Sequence, residues 1–153
     1  MMPAEGTEAQ QMMDVFRVNA VGVMLATSHF APLLKKSSGT PRVINITSGA
    51  GSIGNRLDPD GVENHLKVLP YRVSKAAMHM VFACHVREYE ELGFKMFLYG
   101  PGPTASSLTP YNKTELGAKP TSEGAAPIVA MVNGTRDSDA RKYVEHGHES
   151  FPW

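Results

Sequence analysis

The stretch RVINITSGAGSIG, residues 42–54, decides the fold of this 153-residue chain. Its first half, Arg42 to Thr47, is a short β-branched run with almost no alternation, the pattern of a strand covered on both faces. Its second half holds Gly49, Gly51 and Gly54 in the spacing G-x-G-x-x-G, that of a dinucleotide-binding turn. Such a turn binds phosphate only because a helix starts at it, offering free N–H groups and the positive end of a dipole. Here NRLDPDG follows Gly54, and Pro59 and Gly61 forbid a helix of useful length. No later strand with an acidic selector follows the turn. The glycines are therefore expected to let the backbone turn sharply at a strand end, leaving Ser48 facing a crevice.

Helical periodicity flanks this strand on both sides. Phe16, Ala20, Val23, Thr27, Phe30 and Leu34 recur at steps of four and three, which predicts one long helix over 8–36 with these residues on one face. Residues 49–70 read as loop, and a second helix is expected over 71–92, closed by Gly93. Strands are expected at 94–99 and 142–146, with a helix over 122–133 between them and Thr121 as its N-cap. Strands separated by helices pair in parallel through right-handed crossovers, so the class is α/β in a single domain over 1–153.

Composition narrows the function. Fifteen basic residues balance fifteen acidic ones, so no net field draws the chain to nucleic acid or an anionic membrane. No apolar run is long enough to span a bilayer, and Met1 is not followed by a signal-peptide pattern, from which a cytoplasmic location is expected. Cys84 lies in an apolar helical stretch and reads as a buried, inert thiol. His146 and His148 invite a metal, but no third ligand has suitable spacing, and no metal is expected.

Open α/β sheets bind ligands at the carboxyl ends of their strands. Ser48 lies at one such end and Pro101-Gly102 at the next. Between them, YRVSK places Tyr71 and Lys75 four residues apart on one helix face. A phenol is a poor acid or base at neutral pH, and a nearby ammonium favours its phenolate and brings its pKa down. A serine hydroxyl could hold a substrate carbonyl oxygen while the tyrosine passes it a proton.

In these residues the chain resembles the short-chain dehydrogenase/reductase family of NAD(P)-dependent oxidoreductases, Rossmann-type in fold. FRVNAVG (16–22), RVINITSGAGSIG, YRVSKAAMH and YGPGPTAS resemble four family segments in order, and the tail through KPTSEGAAPIV to the final Pro-Trp is similar to reductase-like fungal members. The resemblance implies a small carbonyl or alcohol substrate and NAD or NADP. It implies Tyr71 as general acid/base, Lys75 lowering its pKa and bonding the nicotinamide ribose, Ser48 positioning the substrate oxygen, and Asn19 holding a water that links Lys75 to solvent. Pro101, Gly102 and Ser106, with Thr104 as second choice, would lie at the nicotinamide. The family's glycine-rich cofactor half would precede Met1. The resemblance therefore implies a partial Rossmann-type three-layer sheet without its N-terminal dinucleotide-binding half, and a missing adenosine-phosphate cradle. Tyr71 also follows Ser48 by 23 residues, with more loop than most relatives have. Two alternatives stay open: an inactive remnant serving as a structural or dimerising module, and a cofactor-independent isomerase or lyase. An exposed edge at 42–47 would favour self-association.

Overall fold

The computed structural model describes residues 6–61 and 67–153. Three strands, β1 (Arg42–Ile46), β2 (Lys95–Gly100) and β3 (Tyr143–Glu145), form one parallel sheet in the order β1-β2-β3. The helices are α1 (Glu8–Phe16), α2 (Gly22–Leu34), α3 (Ile53–Leu57), α4 (Leu69–Tyr89) and α5 (Thr121–Val132). The expected α/β class and three parallel strands are the observed ones, each within two residues of its expected bounds.

Alternation along the central strand β2 explains the layers. Met96 and Leu98 point into a core built with Ala31 of α2 and Phe82, Val86 and Tyr89 of α4. Phe97 and Tyr99 point the other way, against Ile128 and Met131 of α5. Register carries the alternation into β1, where Val43 lies beside Met96 and Ile44 beside Phe97. Burying one such side chain fully contributes roughly 1.5–3 kcal/mol, so the six-residue β2, buried on both faces from Met96 onward, anchors the domain.

The first helix departs from expectation in an informative way. It is interrupted at Arg17–Val21 by a π-helical turn, across which the Gly22 N–H reaches the Arg17 carbonyl. A π-turn adds one residue to the helix and shifts its faces. The buried positions are accordingly Val15, Ala20, Thr27 and Ala31, and Phe30 is 60% exposed. The second helix differs too. Its buried face carries Arg72, Ser74, His79 and His85 beside Met78, Phe82 and Val86, while Met80 and Cys84 face outward. The reading of Cys84 as a buried thiol is thus wrong: α4 buries polar residues such as Arg72, Ser74 and His79 beside Met78, Phe82 and Val86, so not every apolar position on it faces inward.

Two local expectations also change. Residues 53–57, expected as loop, form the single turn α3, capped by the Ser52 hydroxyl, which accepts from the Asn55 N–H at 2.9 Å. The middle of that expected loop, 62–66, lies outside the described residues. Thr121 is not the N-cap of α5 but its first residue, preceded by Pro120, and its hydroxyl donates to the Ala105 carbonyl at 3.0 Å.

Candidate active site

Strand β1 delivers Ser48 to the site. The Thr47 N–H still donates to the Tyr99 carbonyl at 2.8 Å, and Ser48 follows in an extended conformation. Its hydroxyl caps the tight turn Gly49–Gly51, accepting from the Ala50 N–H at 3.2 Å.

None of the three glycines of this turn has a positive φ among the described residues, so conformational freedom is not their purpose. Close approach is. A Cβ on Gly51 would lie 2.7 Å from Lys75 Cβ and 2.8 Å from the Lys75 backbone carbon. One on Gly54 would lie 3.0 Å from Pro152 Cβ, and one on Gly49 would lie 3.5 Å from the Phe151 ring. The backbone turns sharply at the strand end as expected, and the glycines there let α4 and the C-terminal tail pack onto the turn. Lys75 and the tail pack directly against these glycines, and the helix after Gly51 has only five residues.

Helix α4 grips the turn on both sides of Ser48. The Lys75 ammonium donates to the Ile46 carbonyl at 3.1 Å, His79 Nε2 lies 2.7 Å from Thr47 Oγ1, and Arg72 donates to the Ala50 carbonyl at 3.3 Å. Tyr71 and Lys75 share the helix, with Nζ 5.7 Å from the centre of the Tyr71 ring. Burial lowers the Lys75 ammonium from its ordinary 10.5 to about 8, because desolvation penalises the charged form. Burial first and then the Lys75 charge lower His79 to about 4.

Asn19 sits in the π-turn, and its amide donates to the Ser74 hydroxyl at 3.0 Å. That hydroxyl in turn donates to the Tyr71 carbonyl at 2.8 Å. Asn19 is therefore tied to the backbone of the Tyr71 turn through Ser74, the residue next to Lys75.

The second strand end supplies the other expected residues. Gly102 has φ +63°, a conformation that favours glycine, and the Lys119 ammonium donates to the carbonyls of Pro101 and Pro103 at 2.9 and 3.3 Å. The Thr104 hydroxyl is turned back onto the Pro101 and Gly102 carbonyls, so it braces this segment. Ser106 is exposed, and its hydroxyl accepts from the Leu108 N–H at 3.3 Å. His146 meets Tyr99 at 3.2 Å and Glu123 at 3.4 Å, whereas His148 lies against Phe151. Among the described residues no cluster of three His, Cys, Asp or Glu could hold a metal ion, and no helix is long and apolar enough to cross a membrane.

Sequence reasoning missed Arg72, Ser74, His79 and the tail Phe151–Trp153. One signal was available: His79 continues the Tyr71–Lys75 step by a further four residues.

The sequence pattern of the short chain dehydrogenases matches residues 1–116. The chain is 36% identical over 119 residues to the short-chain dehydrogenase anuI of Penicillium roqueforti, a match that covers 75% of this chain and 45% of that protein. It is 31% identical over 152 residues to the short-chain dehydrogenase/reductase tropE of Talaromyces stipitatus, covering 90% of this chain and 57% of that protein. In fold it is similar to an NADPH-bound carbonyl reductase from chicken fatty liver, with a TM-score of 0.78 at 22% identity, over 100% of this chain and 62% of the other. The chain thus spans about half the length of these two fungal relatives.

Proposed function

Because the chain belongs to the short chain dehydrogenase family, we propose that it acts in an NAD(P)-dependent oxidoreduction between a small carbonyl compound and its alcohol. The observation that carries this reading is Lys75. Its ammonium is partly desolvated, lies beside the Tyr71 ring, and bonds the strand that leads into Ser48.

In this mechanism the Tyr71 hydroxyl gives its proton to the substrate carbonyl oxygen, and the Lys75 ammonium stabilises the phenolate left behind. The Ser48 hydroxyl donates to the same substrate oxygen and fixes its position. Asn19 holds the first turn of α4 in place through Ser74. NAD(P)H, when bound, supplies the hydride that reduces the carbonyl carbon. By the family resemblance, Lys75 would hold the ribose at the nicotinamide end, and the Pro101-Gly102 segment with Ser106 would face its ring. The Gly49–Gly54 turn is given no pyrophosphate role in this reading, because Lys75 and the tail pack against it.

Titration of the 153-residue chain with NADH and NADPH, read by their fluorescence, tests this division. Binding no tighter than about millimolar is expected, because each 1.4 kcal/mol of lost contact weakens binding roughly tenfold. Lys75→Ala weakens it further. Ketone reduction is the turnover readout, and Tyr71→Phe abolishes it. Micromolar binding by the chain alone would overturn the weak-binding half of the reading. Undiminished turnover in Tyr71→Phe would overturn the assignment of the acid/base.

A second reading, a self-associating structural module, draws support from apolar side chains on the outer faces of the helices. Val18 on the π-turn, Phe30 and Leu33 on α2 and Met80 on α4 are all exposed.

A further inference from the structure

We propose that His79 is a positioning residue of the Ser48–Tyr71–Lys75 site, holding the Ser48 turn against α4 through the Thr47 hydroxyl. Its meaning for catalysis rests on the reductase reading above, but its structural consequence does not.

Tyr71, Lys75 and His79 follow one another at steps of four along α4, so one helix face carries all three. His79 Nε2 and Thr47 Oγ1 are 2.7 Å apart, and both residues are buried, at 6% and 4% exposure. Thr47 immediately precedes Ser48. Lys75 binds the carbonyl of Ile46 one residue further back, so among the described bonds from this helix His79 supplies the one to the residue next to Ser48.

The imidazole is itself held from two other elements. The Tyr143 ring of β3 lies 4.7 Å from it, centre to centre, and the Trp153 ring of the tail lies 6.1 Å away, edge-on. Trp153 also closes the far side of the turn, where its carbonyl accepts from the Gly54 N–H at 2.6 Å. The turn is thus clasped by His79 at its start and by the tail at its end.

The charge state suits the task. Burial and the Lys75 ammonium keep the ring neutral down to about pH 4. A neutral imidazole has one donor and one acceptor nitrogen, and it can hold a threonine hydroxyl without adding a positive charge beside Lys75. A simple packing role would need only a flat ring of similar size, which phenylalanine supplies.

Three variants of the whole chain separate these roles. His79→Gln keeps a side-chain partner for Thr47, His79→Phe keeps the ring and loses the bond, and Thr47→Val removes the hydroxyl from the other side. The readouts are hydrogen exchange at the amides of Ala50, Gly51 and Ser52, which bond to Ser48 Oγ, the Ser48 carbonyl and the Gly49 carbonyl. Lys75 titration, followed by NMR, is a further readout. His79→Phe and Thr47→Val are expected to speed exchange by several-fold to about tenfold, the size of one buried hydrogen bond. Both should move the Lys75 pKa from about 8 toward its ordinary 10.5 as water reaches the ammonium. His79→Gln should restore both readouts to the parent values. Exchange in His79→Phe equal to the parent would overturn the proposal, as would a glutamine variant as fast as the phenylalanine one. If His79→Phe does not fold, Thr47→Val against the parent decides alone. None of these measurements needs a cofactor, so they stand or fall apart from the reductase reading.

Discussion

Replacing Gly51 by alanine should disrupt the contact between the Ser48 turn and α4, and the size of the effect follows from the geometry. The new methyl would meet Lys75 Cβ at 2.7 Å, the Lys75 carbonyl carbon at 2.8 Å and the Ala76 nitrogen at 3.0 Å. Two of these are backbone atoms of a 21-residue helix, so no rotamer change relieves the clash. Forced overpacking costs typically 1–3 kcal/mol, and a contact with helix backbone belongs at the upper end. The other two glycines of the motif grade the test. At Gly54 the nearest atoms, Pro152 Cβ at 3.0 Å and the Trp153 carbonyl oxygen at 3.2 Å, belong to the tail, so the cost should be about 1 kcal/mol. At Gly49 the contacts begin at 3.5 Å, ordinary packing distance. Gly49→Ala should be near neutral, since it also removes about 0.4–1 kcal/mol of unfolded-chain entropy. Urea denaturation of the three variants, compared by midpoint at constant slope, measures the order. A Gly51→Ala protein as stable as Gly49→Ala would refute the close-packing account and reopen the glycine turn as a ligand cradle.

The buried bases predict a pH dependence of stability. His79 takes up a proton near 6.5 when unfolded and only near 4 when folded, so between these values the unfolded chain binds more protons and stability falls on acidification, by up to about 3 kcal/mol. His85, also lowered by burial, acts in the same direction. Urea midpoints from pH 7 to pH 4.5 should fall more steeply for the parent than for His79→Gln, and equal slopes would contradict the assignment. The outer helix faces and the edge position of β1 among the described strands predict self-association, measurable by sedimentation velocity at about 10 μM. Phe30→Lys should reduce it, and a compact parent monomer would count against it.

The sheet was legible because its strands are written in a code that composition exposes. β-branched and aromatic runs such as Val43-Ile44 and Phe97-Leu98-Tyr99 are bounded by glycine and proline, and intervening helices leave parallel pairing as the natural topology. The helix faces were less legible, for two different reasons. Across Arg17–Val21 the chain gains a residue per turn, and a pattern extrapolated at constant period puts Phe30 inside when Ala31 is buried. On α4 the inner face is partly polar. Arg72, Ser74 and His79 are buried because the Ser48 turn and the π-turn bring them partners, and a hydrophobic pattern has no access to partners that arrive from distant sequence. That Tyr71 and Lys75 lie close together on α4 needs no distant partner, because their spacing is one helix turn.

The same distinction accounts for the glycine motif. In a phosphate-binding turn, glycine is required where a Cβ would displace the pyrophosphate; here it is required where a Cβ would displace Lys75. The sequence spacing records that something must come close and not what it is. The residues after the motif carry the answer: Pro59 and Gly61 leave only the single turn α3, whose few N–H groups give little dipole to hold an anion. Meanwhile the Gly54 N–H, which a phosphate oxygen would seek, already donates to the Trp153 carbonyl. A turn whose close neighbours and Gly54 donor are both supplied by the protein itself serves to pack α4 and the tail against the end of β1. Loss of Gly51 should therefore register first as lost stability and a displaced Lys75, before any effect on phosphate affinity.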